Sequence, residues 1–326
     1  MTVFSPKTLA ACGLFAFATA ALADASTVTL YGRLDTALES TKTGHRRVHG
    51  LNSSDAYFGV KGVEALGQGL KAGFVLESTI QTDDGATNQA GSFFSNRSEV
   101  FLEGAFGTVR MGRFFNPSYY AVADRTSLHN EDYGISADAL YAGVENAANR
   151  LGYRSPTRLG LTLESTVSFH ERDAAHQGHN AYDLAANYER GPWSFGAGYG
   201  AWADARQYAV RATWTQGDWT VSGYHQRSQD RVAGVQAQTQ VSRAAVAYAM
   251  GAGELHANFG HANAPGQAEA EADQWTVGYN HHLSARTKLY AFYTVLQNRH
   301  GAHFAAEDLA ADEDRKSLSV GIRHHF

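Results

Sequence analysis

From Thr27 onward, apolar and polar residues alternate one for one in segments of about ten residues. A period of two marks strands whose two faces meet different surroundings. In the first segment Val28, Leu30, Leu34 and Leu38 share one face, and Thr29, Tyr31, Arg33, Asp35 and Glu39 share the other. Further along, Leu159, Leu161, Leu163, Val167 and Phe169 oppose Thr162, Glu164, Thr166 and Ser168. Tyr208, Val210, Ala212 and Trp214 oppose Arg211 and Thr213, while Trp193, Phe195, Ala197 and Tyr199 oppose Ser194 and a row of glycines. The polar face carries charges, and aromatic residues gather near strand ends. A soluble sandwich would bury the apolar face and wet the charged one. A transmembrane barrel turns this inside out, with apolar side chains toward lipid and charges toward a wet lumen.

The connections separate the two readings. Short ones fall near 65–69, 104–107, 156–157, 191–192, 217–218, 251–253 and 284–287. Longer or more polar ones fall near 41–53, 82–91, 172–180, 203–206, 230–238, 263–272 and 299–314, with one very long stretch before Tyr153. The two kinds alternate, so seven short turns and eight outer loops join sixteen strands. Tight turns on one side and long loops on the other are the rhythm of an outer-membrane barrel. Closure leaves no exposed edge and satisfies every backbone group between strands, as lipid demands. The chain ends Ser317–Phe326 with Leu318, Val320, Ile322 and Phe326 on one face, so its last residues read as a strand that must pair. The fold expected is all-β: a sixteen-stranded antiparallel transmembrane β-barrel.

The third long connection, about 115–146, follows the short strand Thr108–Arg113 and precedes Arg150–Arg154. Loops beyond about 12–15 residues are uncommon and usually functional or disordered. Tyr119, Tyr120, Tyr133, Leu140 and Tyr141 make this one too apolar for a disordered linker. It is expected to fold into the lumen and set what passes.

Composition adds limits. The 326 residues carry a formal net charge of −5 and a mean hydropathy of −0.35. Neither a helical membrane protein nor a nucleic-acid binder, which would show basic clustering, fits those values. Residues 1–23 read as a signal peptide: Lys7 is the positive start, 9–22 is apolar or small, and Ala21-Leu22-Ala23 fits a cleavage site that leaves Asp24 first. Leu9-Ala-Ala-Cys12 resembles a lipoprotein box, but the apolar run continues well past Cys12. Cleavage after Ala23 leaves 24–326 as one barrel domain without cysteine, and so without disulfides or thiolate sites. His170, His176 and His179 lie beside Glu171 and Asp173 in one outer loop, a set that could ligate a metal only with geometry the sequence does not fix. No nucleophile elbow or other catalytic spacing is present. Neither enzyme activity, cofactor nor metal is expected.

Several stretches, in order, resemble the trimeric Gram-negative general porins of the betaproteobacterial, neisserial-type branch. These are Val28–Asp35, Phe58–Gly67, Leu70–Glu77, Phe106–Arg113, Asn149–Pro156, Leu283–Thr287 with Leu289–Ala291, and Val320–Phe326. The resemblance implies a homotrimer in the bacterial outer membrane. It implies contact with lipid and lipopolysaccharide, and passive diffusion of ions and small hydrophilic solutes. It further implies that Phe326 is the signal read by the barrel assembly machinery. By position, the basic wall of the constriction would be Arg33, Lys61, Arg97 and Arg110, with Arg150 and Arg154 as additions. The facing loop acids would be Asp124, Glu131, Asp132, Asp138 and Glu145. The competing reading is that these bases simply pair with Asp35, Glu77, Glu99 and Glu103. Two departures, Tyr57 and Val75, stand where the family commonly has a basic and a polar residue, and make that stretch of wall less polar. A substrate-specific channel, or a plugged barrel serving as an adhesin or receptor, would share most of this pattern.

Overall fold

Each alternating segment pairs antiparallel with the next, because tight turns leave consecutive strands no other neighbour. The computed structural model describes residues 26–87, 92–126, 138–143, 148–170, 178–232, 235–264, 270–302, 304 and 310–326. The strands begin with β1 (Thr27–Thr43), β2 (Arg46–Ser53), β3 (Ala56–Gly67), β4 (Leu70–Ile80), β5 (Arg97–Gly104) and β6 (Gly107–Arg113). One helical turn, α1 (Pro117–Ala121), precedes β7 (Arg150–Arg154), β8 (Leu161–Ser168), β9 (Ala181–Arg190) and β10 (Trp193–Trp202). Then come β11 (Ala205–Gln216), β12 (Trp219–Val232), β13 (Val235–Met250) and β14 (Gly253–Ala264). The set ends with β15 (Ala270–His282), β16 (Thr287–Arg299) and β17 (Arg315–His325).

The barrel closes where the chain's two ends meet. One edge of β1 pairs with β17 from Arg33↔His325 to Thr43↔Arg315, and Phe326 and Gly32 exchange backbone hydrogen bonds just below. The other edge of β1 pairs with β3 over Thr27–Arg33 and with β2 over Thr36–Thr43. β2 and β3 are therefore two lengths of one barrel strand, so seventeen segments make sixteen strands. A bulge at Ser54–Asp55 divides them, with Asp55 at φ 45°. Across the seam, Arg323 donates to Asp35 at 2.6 Å and the Tyr290 hydroxyl donates to the same carboxylate at 2.6 Å.

Burial confirms the inverted polarity. Val28 is 70% exposed and Leu38 62%, whereas Asp35 and Gln226 are at 0%. Arg150, Asp183, Arg211, Arg243, Gln274 and Asn280 are buried too, all on the inward phase of their strands. Tyr57 and Val75 also face inward, and Tyr57 lies under the Arg33 guanidinium, 4.9 Å from its carbon. Among the described residues no helix is long and apolar enough to cross a membrane.

Two connections differ from the sequence reading: 230–238 belongs to β12 and β13, which stay paired as far as Val232↔Val235, and the first connection is a hairpin as well. Residues 41–53 form no loop: β1 runs to Thr43, turns at Gly44 (φ 54°) and His45, and returns as β2. The bases in this hairpin hide the alternation. A strand that has risen above the lipid needs no apolar face, so period two is lost while the pairing continues.

Candidate functional site

The long connection leaves β6 at Phe114, whose buried ring sits under the Arg110 guanidinium, 4.1 Å from its carbon. Arg150, buried on β7, donates to the Phe114 carbonyl at 2.6 Å, to Ser168 Oγ at 2.9 Å and to the Asn116 side chain. It fastens the entry of the segment. Pro117 then starts α1, where a missing N–H costs nothing. The helix lies against β9 and β10. A Cβ on Gly196 would strike the Ala121 carbonyl, and one on Gly198 would crowd Ser118. The glycine row of β10 thus gives the helix its seat. Ser118 donates from both N–H (2.8 Å) and hydroxyl to Asp183, and Arg211 Nε donates to the Ala121 carbonyl at 2.8 Å.

The described part of the return leg, 138–143, is gripped by strands further round. Asp138 accepts from Arg243 at 2.7 Å and from the Tyr224 hydroxyl at 2.6 Å. Arg243 also donates to Gln274 at 2.6 Å and to Asn258 at 2.7 Å. Gln274 accepts the Ala139 N–H, and Gln226 both accepts from and donates to the Ala142 backbone. Gln207 donates to the Tyr141 hydroxyl at 2.6 Å. Burial, and then the carboxylates of Asp183 and Asp138, push the Tyr141 phenol above its ordinary range, so it stays protonated. Small inward side chains (Ala185, Ala209, Ala262 and Ala272) leave room for Ala121, Val122 and Leu140 to pack against this wall.

On the opposite wall the bases stand in a ladder. Arg97 pairs with Glu99; Arg110 lies 3.7 Å from Glu99 and 3.2 Å from Glu164; Arg154 lies 3.7 Å from Glu164. Between this ladder and the long connection is a cavity of about 600 Å³. Arg97, Arg110, Arg154, Glu164 and Glu189 line it from the strands, and Tyr120, Asp124 and Arg125 from the connection.

Of the residues expected at a constriction, Arg97, Arg110, Arg154 and Asp124 therefore share one cavity. Arg33 and Lys61 are outside its lining: Arg33 binds the carboxylate and carbonyl of Asp55, and Lys61 sits over the Tyr31 ring at 4.9 Å. Arg150 and Asp138 are occupied in holding the segment. Glu131, Asp132 and Glu145 lie outside the described residues, as do Ala23, Asp24 and His176. The His170 ring accepts the Gly178 N–H, and the described residues hold no group of three metal ligands. Sequence reasoning missed Arg125, Glu189, Asp183, Arg211 and Arg243 as site residues. A signal existed for some of them: Arg211 and Asp183 are charges on the polar phase, and Arg125 is a base inside an acidic stretch.

The model of the Gram-negative porin family matches residues 8–301. Outer membrane porin protein 32 of Delftia acidovorans is 30% identical, over 98% of this chain and 99% of its own length. Among solved structures, an anion-selective porin from Comamonas acidovorans matches 93% of this chain and all of its own, at TM-score 0.82 and 27% identity. The trimer form of OmpT from Vibrio cholerae shares the fold, with TM-score 0.73 over 93% of this chain, at 17% identity.

Proposed function

The chain belongs to the Gram-negative porin family, the diffusion channels of the outer membrane, and from that premise we propose that its solutes pass an eyelet formed by the infolded third loop. The observation that carries this reading is the cavity in which Arg97, Arg110 and Arg154 face Tyr120, Asp124 and Arg125. Charged groups at a narrow point select by sign, and low-dielectric walls focus the field between them. A hydrophobic solute would displace ordered water from these charges and gain nothing in return. Four guanidinium groups line the cavity against the three carboxylates of Asp124, Glu164 and Glu189. Glu99 lies behind Arg97 and Arg110, so the cations stand nearer a passing ion. The channel therefore prefers anions weakly, like the Comamonas porin named for that property. We read the functional unit as a homotrimer, cut after Ala23 on export, with Phe326 at the closing seam as the assembly signal.

Single-channel recording in a planar bilayer tests this. Large, linear, long-lived steps, often in threes, are expected, with a salt-gradient reversal potential of the sign given by faster anions. A cation-selective sign would overturn the charge assignment. Silence from folded, heat-modifiable protein would mean that the loop closes the lumen.

A further inference from the structure

We propose that the cavity beside the third loop is a binding site for planar aromatic carboxylates, with the acid group on Arg97, Arg110 and Arg154 and the ring on Phe115 and Tyr120. This rests on the channel reading above and names the solutes that would linger there. On the charged side, three guanidinium groups from β5, β6 and β7 share two carboxylates. Arg97 pairs with Glu99, Arg110 stands between Glu99 and Glu164, and Arg154 lies 3.7 Å from Glu164. One positive charge is left over on this wall. A guanidinium carries several N–H donors in one plane. Among the described residues Arg97 spends one nitrogen on Glu99, Arg110 spends one on Glu164 at 3.2 Å, and Arg154 meets Glu164 only beyond hydrogen-bond reach. The unspent donors suit a carboxylate, which a guanidinium grips with two parallel bonds.

The apolar side comes from the start of the long connection. Phe114 underlies the Arg110 guanidinium and is itself only 1% exposed, so it belongs to the wall. The next ring does not. Phe115 is half-buried, lines the cavity and meets Tyr120 edge-to-face, with centroids 5.8 Å apart and planes at 90°. Tyr120 keeps 42% of its surface open. A ring needed only to pack α1 would be covered, as Ala121 and Val122 are. Two rings at a right angle make a corner. A flat solute ring fits it by stacking on one and meeting the other at its edge, the two arrangements that aromatic pairs prefer.

Only a solute with both parts answers both sides. Chloride or acetate uses the bases and leaves the rings wet. A neutral hydrocarbon covers the rings and leaves the bases without an anion. The direction is set by Asp124, which lines the cavity from the same side as Tyr120 and repels a carboxylate. The charged end therefore goes to the strands and the ring to the connection. A cavity of about 600 Å³ takes one such molecule with water around it. Conduction survives a site of this kind as long as binding is weak enough for the solute to leave.

The test uses the folded full-length porin in detergent, titrated with benzoate and with cyclohexanecarboxylate and read by saturation-transfer NMR, which needs no current. The two acids share charge and approximate size, so their difference isolates the planar ring. Benzoate is expected to bind about fivefold more tightly, the factor that fits one aromatic pair beyond its buried area. Tyr120→Leu should erase that ratio and Tyr120→Phe should keep it, whereas Arg154→Gln should weaken both acids alike. In planar bilayers benzoate should interrupt the potassium chloride current at about fivefold lower concentration than cyclohexanecarboxylate. Equal binding of the two acids by the wild type overturns the proposal without any variant. A ratio that survives both Tyr120→Leu and Phe115→Leu also overturns it, by putting the ring elsewhere. Absent conductance with the benzoate preference intact would count against the channel reading and not against this one.

Discussion

The strands from β9 to β15 and those from β5 to β8 both carry arginines on their inward phase, yet, apart from Arg150 on β7, which also fastens the long connection, they use them for different ends. Arg243 is fully buried and holds Asp138, Gln274 and Asn258; Arg211 holds the Ala121 carbonyl. Across the lumen, Arg154 keeps a side chain 55% exposed and Arg97 one 33% exposed, beside the cavity of about 600 Å³. The residue type is the same and the phase is the same. What differs is whether the long connection lies on top. Where it does, guanidinium groups become fasteners for backbone and carboxylate; where it does not, they remain to act on whatever passes.

Removing a fastener should have the largest effect. Arg243→Ala leaves the Asp138 carboxylate buried without its cation, a change worth about 3–5 kcal/mol in comparable buried pairs. We expect noisier single-channel current and new protease cleavage within 116–145, while the barrel stays heat-modifiable. Quiet current and an intact segment would show that the grip lies elsewhere. Next comes the seat of the helix. Gly198→Val adds a Cβ carrying two methyl groups where Ser118 already touches, and overpacking of this kind costs about 1–3 kcal/mol. The melting temperature should fall and the conductance should change, because α1 is pushed toward the cavity.

On the open wall the expected change is in selectivity and not in stability. Arg154→Gln removes one of the lining cations and should move the reversal potential toward cation preference, by up to about fivefold in permeability ratio, as fits about 1 kcal/mol for a charge at contact in water. An unchanged potential would put the selecting point outside this cavity. The smallest effect belongs to Arg125 and Glu189, which pair at 2.5 Å but are both substantially exposed. A double-mutant cycle to Gln should give a coupling below about 1 kcal/mol. A larger value would mean that the loop is also tied on its open side.

The barrel was legible in the sequence because its signal is local. Ten-residue alternation and the beat of short and long turns need no knowledge of distant residues. The outer hairpin from Lys42 to Arg47 was not legible, since above the lipid a strand loses its apolar phase. The site was half legible. Arg97, Arg110 and Arg154 could be picked by phase. Asp124 and Asp138 look alike in sequence, and their environments are set by residues far along the chain: Asp138 meets Arg243, 105 positions away. The glycines of β10 were visible as a row. Their meaning, a helix at touching distance, needed the helix in place.

The seam also bears on how the molecule can be made. Arg33 pairs with His325 and Asp35 with Arg323, so closure joins residues from the two extremes of the chain. No growing chain can shut its cylinder before the last strand exists, and until then both outer edges stay open to the wrong neighbour. The carboxylate of Asp35, held by Arg323 and Tyr290, then acts as a proofreading mark. A slip of one residue would turn Asp35 toward lipid and Leu34 toward water. The correct register is the one in which that acid finds its two donors.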